Sequence, residues 1–415
     1  MTSTAQNDRF IPLPLTRVIA DARRSLPEDR QSSFESFTKL LVALLRYEIG
    51  TELDELKTIY EPFNPDRDTV VDAAAPEGSE QGLASLHARV QALLERANFV
   101  ELSRADLDAA LTKTSPLGLA VSVDLDSFDD FSVFYRGRGE TVEWRRTWKS
   151  RFQKAPVRAP VYRRVFLLIK ARPDASGASS GPERELGELD PRHVVLKLFK
   201  DIPHSDLEML LPNTRVRMTG LDKARLGITG GGGTIGGVMA TVTKLGAAAS
   251  PTTWAIALGG LGAVLWRQLS KVFSQRTKYM ATLAQRLYFH TLDNGFGVVT
   301  RLVEMAEAEE SKEALLAAAI LTSDGEQTAE ELDRRAESWT HETYGVSTDY
   351  DVRGGLGKLR DAGLLVEKGG RVALLPLEEA FARLDETWDD IFTAEGGAGR
   401  EADSGAGEAL ESPAV

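Results

Sequence analysis

The stretch from Glu313 to Leu375, EALLAAAILTSDGEQTAEELDRRAESWTHETYGVSTDYDVRGGLGKLRDAGLLVEKGGRVALL, carries the pattern on which the fold turns. Glu313–Ile320 reads as an apolar helix. Thr328 with Glu331 three residues later forms a capping box that starts a second helix, through about Trp339. A third helix is predicted from about Tyr350 to Leu359, and Gly363 ends it. Leu364–Val366, Gly369-Gly370 and Val372–Leu375 then make a small hairpin. Leu377–Ile391 closes as a helix. Beyond Ala394 the composition falls to Gly, Ala, Glu and Ser, which predicts a disordered tail.

Three helices followed by a hairpin read as a winged helix. Between Glu313 and Asp390 there are 8 basic and 18 acidic residues, so this part carries 8 − 18 = −10. A nucleic-acid reader must neutralise phosphates, and an acidic surface repels them. Arg353, Lys358 and Arg360 on the third helix stand beside Asp349, Asp351 and Asp361. The winged helix is therefore expected to dock a protein partner.

Working outward, the 415-residue chain carries a formal net charge of −12 and no cysteine, which excludes disulfides, thiolate metal sites and a thiol nucleophile. Its amino terminus is expected to carry no secretory signal. Phe34, Phe37, Leu41, Leu44, Leu45, Ile49, Leu53 and Leu56 recur at helical spacing and predict a long helix that stops near Glu61, before Pro62. A second helix is expected over Leu83–Ala97, and Ser103 with Asp106 starts a third. The middle changes period. Leu119–Leu125 and Phe131–Tyr135 alternate as strands, and Gly137-Arg138-Gly139 predicts a turn into Thr141–Trp148. Tyr162–Ala171 and His193–Lys200 are two further strands.

Leu226–Trp266 holds 41 residues with one charge, Lys244. Its second half, Leu245–Trp266, is long enough to cross about 30 Å of hydrocarbon at roughly 1.5 Å per residue. Gly232, Gly233, Gly236 and Gly237 fall at four-residue spacing, which lets helices approach closely in lipid. The expectation is a membrane hairpin with both flanks cytoplasmic, packed through those glycines with Trp254 and Trp266. The same glycines also fit a flexible soluble loop.

Trp144–Arg172 holds ten Lys/Arg and no acidic residue, with aromatic residues interleaved. It reads as a solvated strand edge, an anionic-lipid surface or a single-stranded nucleic-acid platform. The lipid reading is favoured, with Arg145, Arg146, Lys149, Arg151, Trp144 and Trp148 as the contact residues.

Catalytic and metal patterns fail one by one. His87, His193, His204, His290 and His341 lack zinc spacing. His204-Ser205-Asp206 is better read as a helix start, with Ser205 and Glu208 as a capping box. Asp124, Asp126, Asp129 and Asp130 miss a calcium loop, since Phe128 and Asp129 occupy the third-ligand and Gly positions. Gly230–Gly233 lacks the Gly-Lys-Ser/Thr of a phosphate loop. No nucleophile elbow is present. No cofactor is expected.

The blocks Val195–Pro203, Asp206–Pro212, Leu287-Tyr288-Phe289, Leu292-Asp293-Asn294 and Pro376–Ala380 resemble the transmembrane protein 143 family, over about Phe10 to Phe392. The resemblance implies a membrane-associated protein without an established activity, and no catalytic residue follows from it.

The expected architecture is thus α+β and multi-domain: N-terminal helices (1–113), an antiparallel-sheet unit bearing the basic strip (114–225), a glycine-rich membrane hairpin (226–266), connecting helices (267–310), a winged-helix-like domain (311–393) and a disordered tail (394–415). The function expected is that of a membrane-anchored, non-enzymatic scaffold at the cytoplasmic face. A nucleic-acid-binding regulator is the alternative. Expected partners are an anionic lipid surface, an unidentified protein and a second copy packed through the glycine-rich helices, rather than nucleic acid.

Overall fold

The computed structural model describes residues 8–67, 79–111, 120–123, 127–146, 154–172, 190–210, 214–217, 285 and 287–403. In chain order the α-helices are α1 (Leu15–Arg24), α2 (Glu28–Tyr60), α3 (Glu80–Arg96), α4 (Arg104–Leu111), α5 (Phe296–Asp324), α6 (Ala329–Tyr344), α7 (Val352–Asp361) and α8 (Leu377–Asp403). The strands are β1 (Val100–Glu101), β2 (Ala120–Val123), β3 (Phe128–Arg146), β4 (Lys154–Ala171), β5 (Val194–Pro203), β6 (Thr214–Arg217), β7 (Thr291–Asn294), β8 (Gln327–Thr328), β9 (Leu365–Lys368) and β10 (Arg371–Leu374). The chain divides into two compact units: residues 1–100 with 295–415, and residues 101–294.

The first unit is helical, and α5 is its axis. Residues 309–322 of α5 are buried at every position, so no face of that stretch meets water. A helix apolar all round must be enclosed, and Ala314–Leu321 meets that condition. Helices α1, α2, α3 and α7 pack around it. One continuous core joins Ile11, Val18, Phe34, Phe37 and Leu41 to Leu315, Leu316, Ile320, Trp339, Leu356, Leu359 and Leu384. The amino-terminal helices and the elements from α5 to α8 therefore form one body. Each large apolar side chain fully buried there contributes on the order of 1.5–3 kcal/mol.

Local chemistry sets the element ends. Glu28 and Asp29 occupy the first turn of α2 after Pro27, where negative charge meets the positive end of the helix dipole. The helix ends at Tyr60, two residues before Pro62. Before α6, Thr328 Oγ1 accepts from the Glu331 N–H (3.2 Å) and Glu331 Oε2 accepts from the Thr328 N–H (2.9 Å), a complete capping box. Gly369 and Gly370, with φ of 60° and 80°, link β9 to β10 as a tight hairpin turn. β8 pairs on the other side of β10, giving the antiparallel order β8-β10-β9. Helix α8 continues to Asp403, past Ala394 where the tail was expected to begin.

The second unit is built on an antiparallel sheet in the order β1-β3-β4-β5-β7. Phe134 sits opposite Phe166, and Phe166 opposite Leu198. Val165–Ile169 is buried without interruption, so both sheet faces are covered at its centre. β2 and β6 form a separate two-stranded pair, with Val121 opposite Val216. The turn expected at Gly137–Gly139 does not form. β3 runs straight through, with Arg136 opposite Arg164 and Arg138 opposite Tyr162. Gly137 takes φ of 73° without reversing the chain, a conformation glycine adopts freely. Continuous pairing with β4 on both sides of Gly137 outweighs the local turn signal.

The membrane hairpin, and with it the transmembrane element of the expected fold, is corrected. Among the described residues no helix is long and apolar enough to cross a membrane. The stretch 226–266 on which that expectation fell lies outside the described residues.

Candidate functional site

Two features of the first unit stand out: a run of buried charges in the middle of α5, and the outer surface of α7 and the hairpin. The run is Glu309-Glu310-Ser311-Lys312-Glu313, and all five residues are buried. Ionised groups in a core need partners, because burial strips their water. The charges here are met by the strap ahead of α1, by α2, by α3 and by α7.

Glu309 (0% exposed) and Lys312 (3%) pair one helical turn apart, and together they grip the chain ahead of α1. Glu309 Oε2 accepts the Ile11 N–H at 3.1 Å. Lys312 Nζ donates to the Ile11 carbonyl at 2.6 Å and to that of Leu13 at 3.4 Å. The Ile11 side chain is itself buried. The segment before α1 is thus a strap held by its backbone. It also reaches Thr348 through a parallel bridge at Asp8, and the Asp349 N–H donates to the Asp8 carbonyl at 3.0 Å.

Glu310 faces α3 and α7. Arg96 holds it through two parallel bonds, Nε to Oε1 at 2.5 Å and Nη2 to Oε2 at 3.0 Å. The same guanidinium reaches Glu52 on α2 at 2.5 Å, and Lys358 of α7 lies 3.4 Å from Glu310 Oε2. Burial alone would lower the pKa of Arg96, but the Glu310 and Glu52 carboxylates overcome it and hold the cation well above its ordinary value.

Glu313 (3% exposed) differs from the other two. Its neighbour is neutral: Asn98 Nδ2 donates to Oε1 at 2.7 Å. Asn98 lies two residues past the end of α3 and takes φ of 59°, a left-handed conformation that asparagine tolerates better than most residues. On the other side, a Cβ added to Gly354 would lie 2.8 Å from Glu313 Oε2, so a glycine lets α7 come this close. Tyr350 Oη donates to the Glu313 backbone carbonyl at 2.6 Å. Burial pushes the Glu313 carboxyl well above the usual carboxylate range, with Glu309 adding to the shift and the Asn98 hydrogen bond opposing it.

The outer surface is arranged differently. Arg360 at the end of α7 lies 2.6 Å from Glu367 of β9. Arg371 of β10 meets Glu326 at 3.0 Å and Glu331 at 3.1 Å. Arg335 of α6 meets Asp324 at 3.0 Å and Glu342 at 3.7 Å. Inward, Lys358 is turned to Glu310. Arg360 and Arg371, which a groove reader would direct at phosphates, are directed at this chain's own carboxylates.

Of the residues singled out from sequence, Trp144, Arg145 and Arg146 end β3, opposite Pro156, Ala155 and Lys154. Trp148, Lys149, Arg151, Gly232, Gly233, Gly236, Gly237, Trp254 and Trp266 lie outside the described residues. His204 stacks on Tyr162 with ring centroids 3.9 Å apart, and Asp206 is buried. Among the described residues no group of three or more His, Cys, Asp or Glu is placed to hold a metal ion.

The sequence reading passed over the charged run in α5, although a signal for it exists. Val298, Leu302 and Ala306 define a buried stripe, and the same spacing reaches Glu309 or Glu310 and then Glu313. Charges on the buried stripe of an apolar helix must be paired inside.

A family described as a protein of unknown function (DUF3754) matches residues 162–297, less than half of the chain. The match begins within β4 and ends at the start of α5. No solved structure matches the chain.

Proposed function

We propose that this chain is a non-enzymatic recruiting protein, whose helical unit offers the surface of α7 and the β9–β10 hairpin to a protein partner. The observation that carries this reading is the pairing of Arg360 with Glu367 and of Arg371 with Glu326 and Glu331. A nucleic-acid reader gains affinity by releasing counterions from phosphates, and it needs unpaired cations to do so. Here that exchange would first break internal ion pairs on a part of the chain carrying 8 basic and 18 acidic residues. The surface better fits a partner that brings its own basic groups, since opposite potentials steer docking and fix its register.

The test is a photo-crosslinking residue placed at Arg353 or Lys368, both exposed, in the full chain expressed in native cells. The reading predicts adducts that survive nuclease and are removed by protease. Adducts that nuclease removes, or none at either position, would contradict it.

A further inference from the structure

We propose that Glu313, in its neutral form, is a proton-dependent latch that holds α7 and the end of α3 against α5. The geometry comes first. The carboxyl is enclosed on three sides: by its own helix, by Asn98 after α3, and by Gly354 of α7. The helices meet closely there. A Cβ at Gly355 would lie 2.8 Å from the Glu313 carbonyl oxygen and 2.6 Å from Tyr350 Oη. At Gly354 the backbone of α7 comes just as close to the carboxyl itself, and the Glu313 side chain is buried.

The surrounding charges favour the neutral form. On α5, Glu309 and Glu310 are acidic neighbours, and Lys312 is turned to Glu309 and to the strap. From α3, Arg96 is committed to Glu310 and Glu52. From α7, Lys358 goes to Glu310, while Asp351 at the cap adds negative potential. Tyr350, whose backbone N–H approaches Glu337 of α6 at 3.4 Å, presents a hydroxyl that burial keeps protonated. Asp333 of α6 is a further acid on that side, raised by its own burial. Lys312, Arg96 and Lys358 thus each have another carboxylate partner, and the hydrogen bond to the Glu313 carboxyl comes from an amide.

A group protonated in the closed state and ionised once opened links opening to pH. Closure is fully favoured below the ordinary carboxylate value of 4.5 and weakens as pH rises toward the elevated value of the closed state. Asn98 lies three residues before Glu101, where the second unit begins, so the latch ties the exit of the first unit to its docking helix. This inference does not depend on the identity of the partner.

The test is hydrogen exchange of the full chain between pH 5 and 8, corrected for intrinsic rates, comparing wild type with Glu313→Gln. The amide variant keeps the shape and the bond from Asn98 but cannot ionise. The opening constant of α7 in wild type, relative to the variant, should grow by up to about tenfold per pH unit in this window. Helix α2 serves as the internal reference. Should the variant fail to fold, the ratio of α7 to α2 exchange in wild type alone must rise with pH. Parallel pH profiles in the two proteins, or a flat ratio in wild type, would overturn the latch.

Discussion

Arg360 and Glu367 meet across the corner between α7 and the hairpin, with Nη2 2.6 Å and Nε 2.7 Å from the same carboxylate oxygen. Both side chains are about half exposed, so water and salt screen the pair, and its worth to stability is small. Its effect is on the surface: it cancels a cation on the edge that a winged helix would turn toward a nucleic acid. Glu367→Gln should therefore change unfolding stability by less than about 1 kcal/mol. Thermal unfolding checks this, and a loss of several kcal/mol would mean that the pair is structural.

The buried pair behaves differently. Replacing Lys312 with Met removes the ion pair to Glu309 and two contacts to the strap, at the Ile11 and Leu13 carbonyls. A buried charge left without its partner costs on the order of 3–5 kcal/mol. Double replacement of Glu309 and Lys312 by Leu and Met should recover much of that loss, because it leaves no orphaned charge. Urea denaturation of the two variants measures the difference.

Two glycines of α7 separate close packing from helix propensity. A Cβ at Gly357 meets nothing within 4 Å, and its φ lies outside the left-handed region, so Gly357→Ala should stabilise by up to about 1 kcal/mol. Gly355→Ala would press on Tyr350 and on the α5 backbone, and should destabilise by about 1–3 kcal/mol. The two melting temperatures should move in opposite directions.

The parts of this architecture that were readable from sequence are those set by local pattern. Phe34, Phe37, Leu41 and Ile49 mark the buried face of α2, and Thr328 with Glu331 marks the start of α6. What was not readable depends on distant chain. Glu309–Glu313 looks solvated until the strap, α3 and α7 are placed around it, and Asn98 stands 215 residues from its partner Glu313. Gly137 looks like a turn until β4 supplies a better pairing. The candidate residues at 148–151 and 232–266 lie outside the described residues.

Low pH should act through Asp21. Tyr344 Oη donates to Asp21 Oδ2 at 2.5 Å, and Arg17 lies 2.8 Å from the same oxygen. The Tyr344 hydrogen bond, then that of Arg17, holds the Asp21 carboxyl below its ordinary value. A carboxylate with a lowered folded-state pKa contributes stability that is present above its unfolded value of 3.8 and lost as pH falls through the folded value. Asp21→Asn should flatten the acid side of the stability profile below pH 3.8 and lower the plateau above it. An unchanged acid limb would show that the link between α1 and α6 carries none of the acid sensitivity.

The central claim is that Arg360 and Arg371 are committed to ion pairs within the fold, and that the surface of α7 and the hairpin serves a protein rather than phosphate. Fluorescence anisotropy of labelled duplex DNA, titrated with the full chain at 50 and 200 mM salt, tests it most directly. The account predicts that changing Arg353, Arg360 and Arg371 together to Gln leaves the titration curve of wild type unchanged at both salts. Micromolar binding by wild type that weakens steeply with salt and is lost in the triple variant would contradict it.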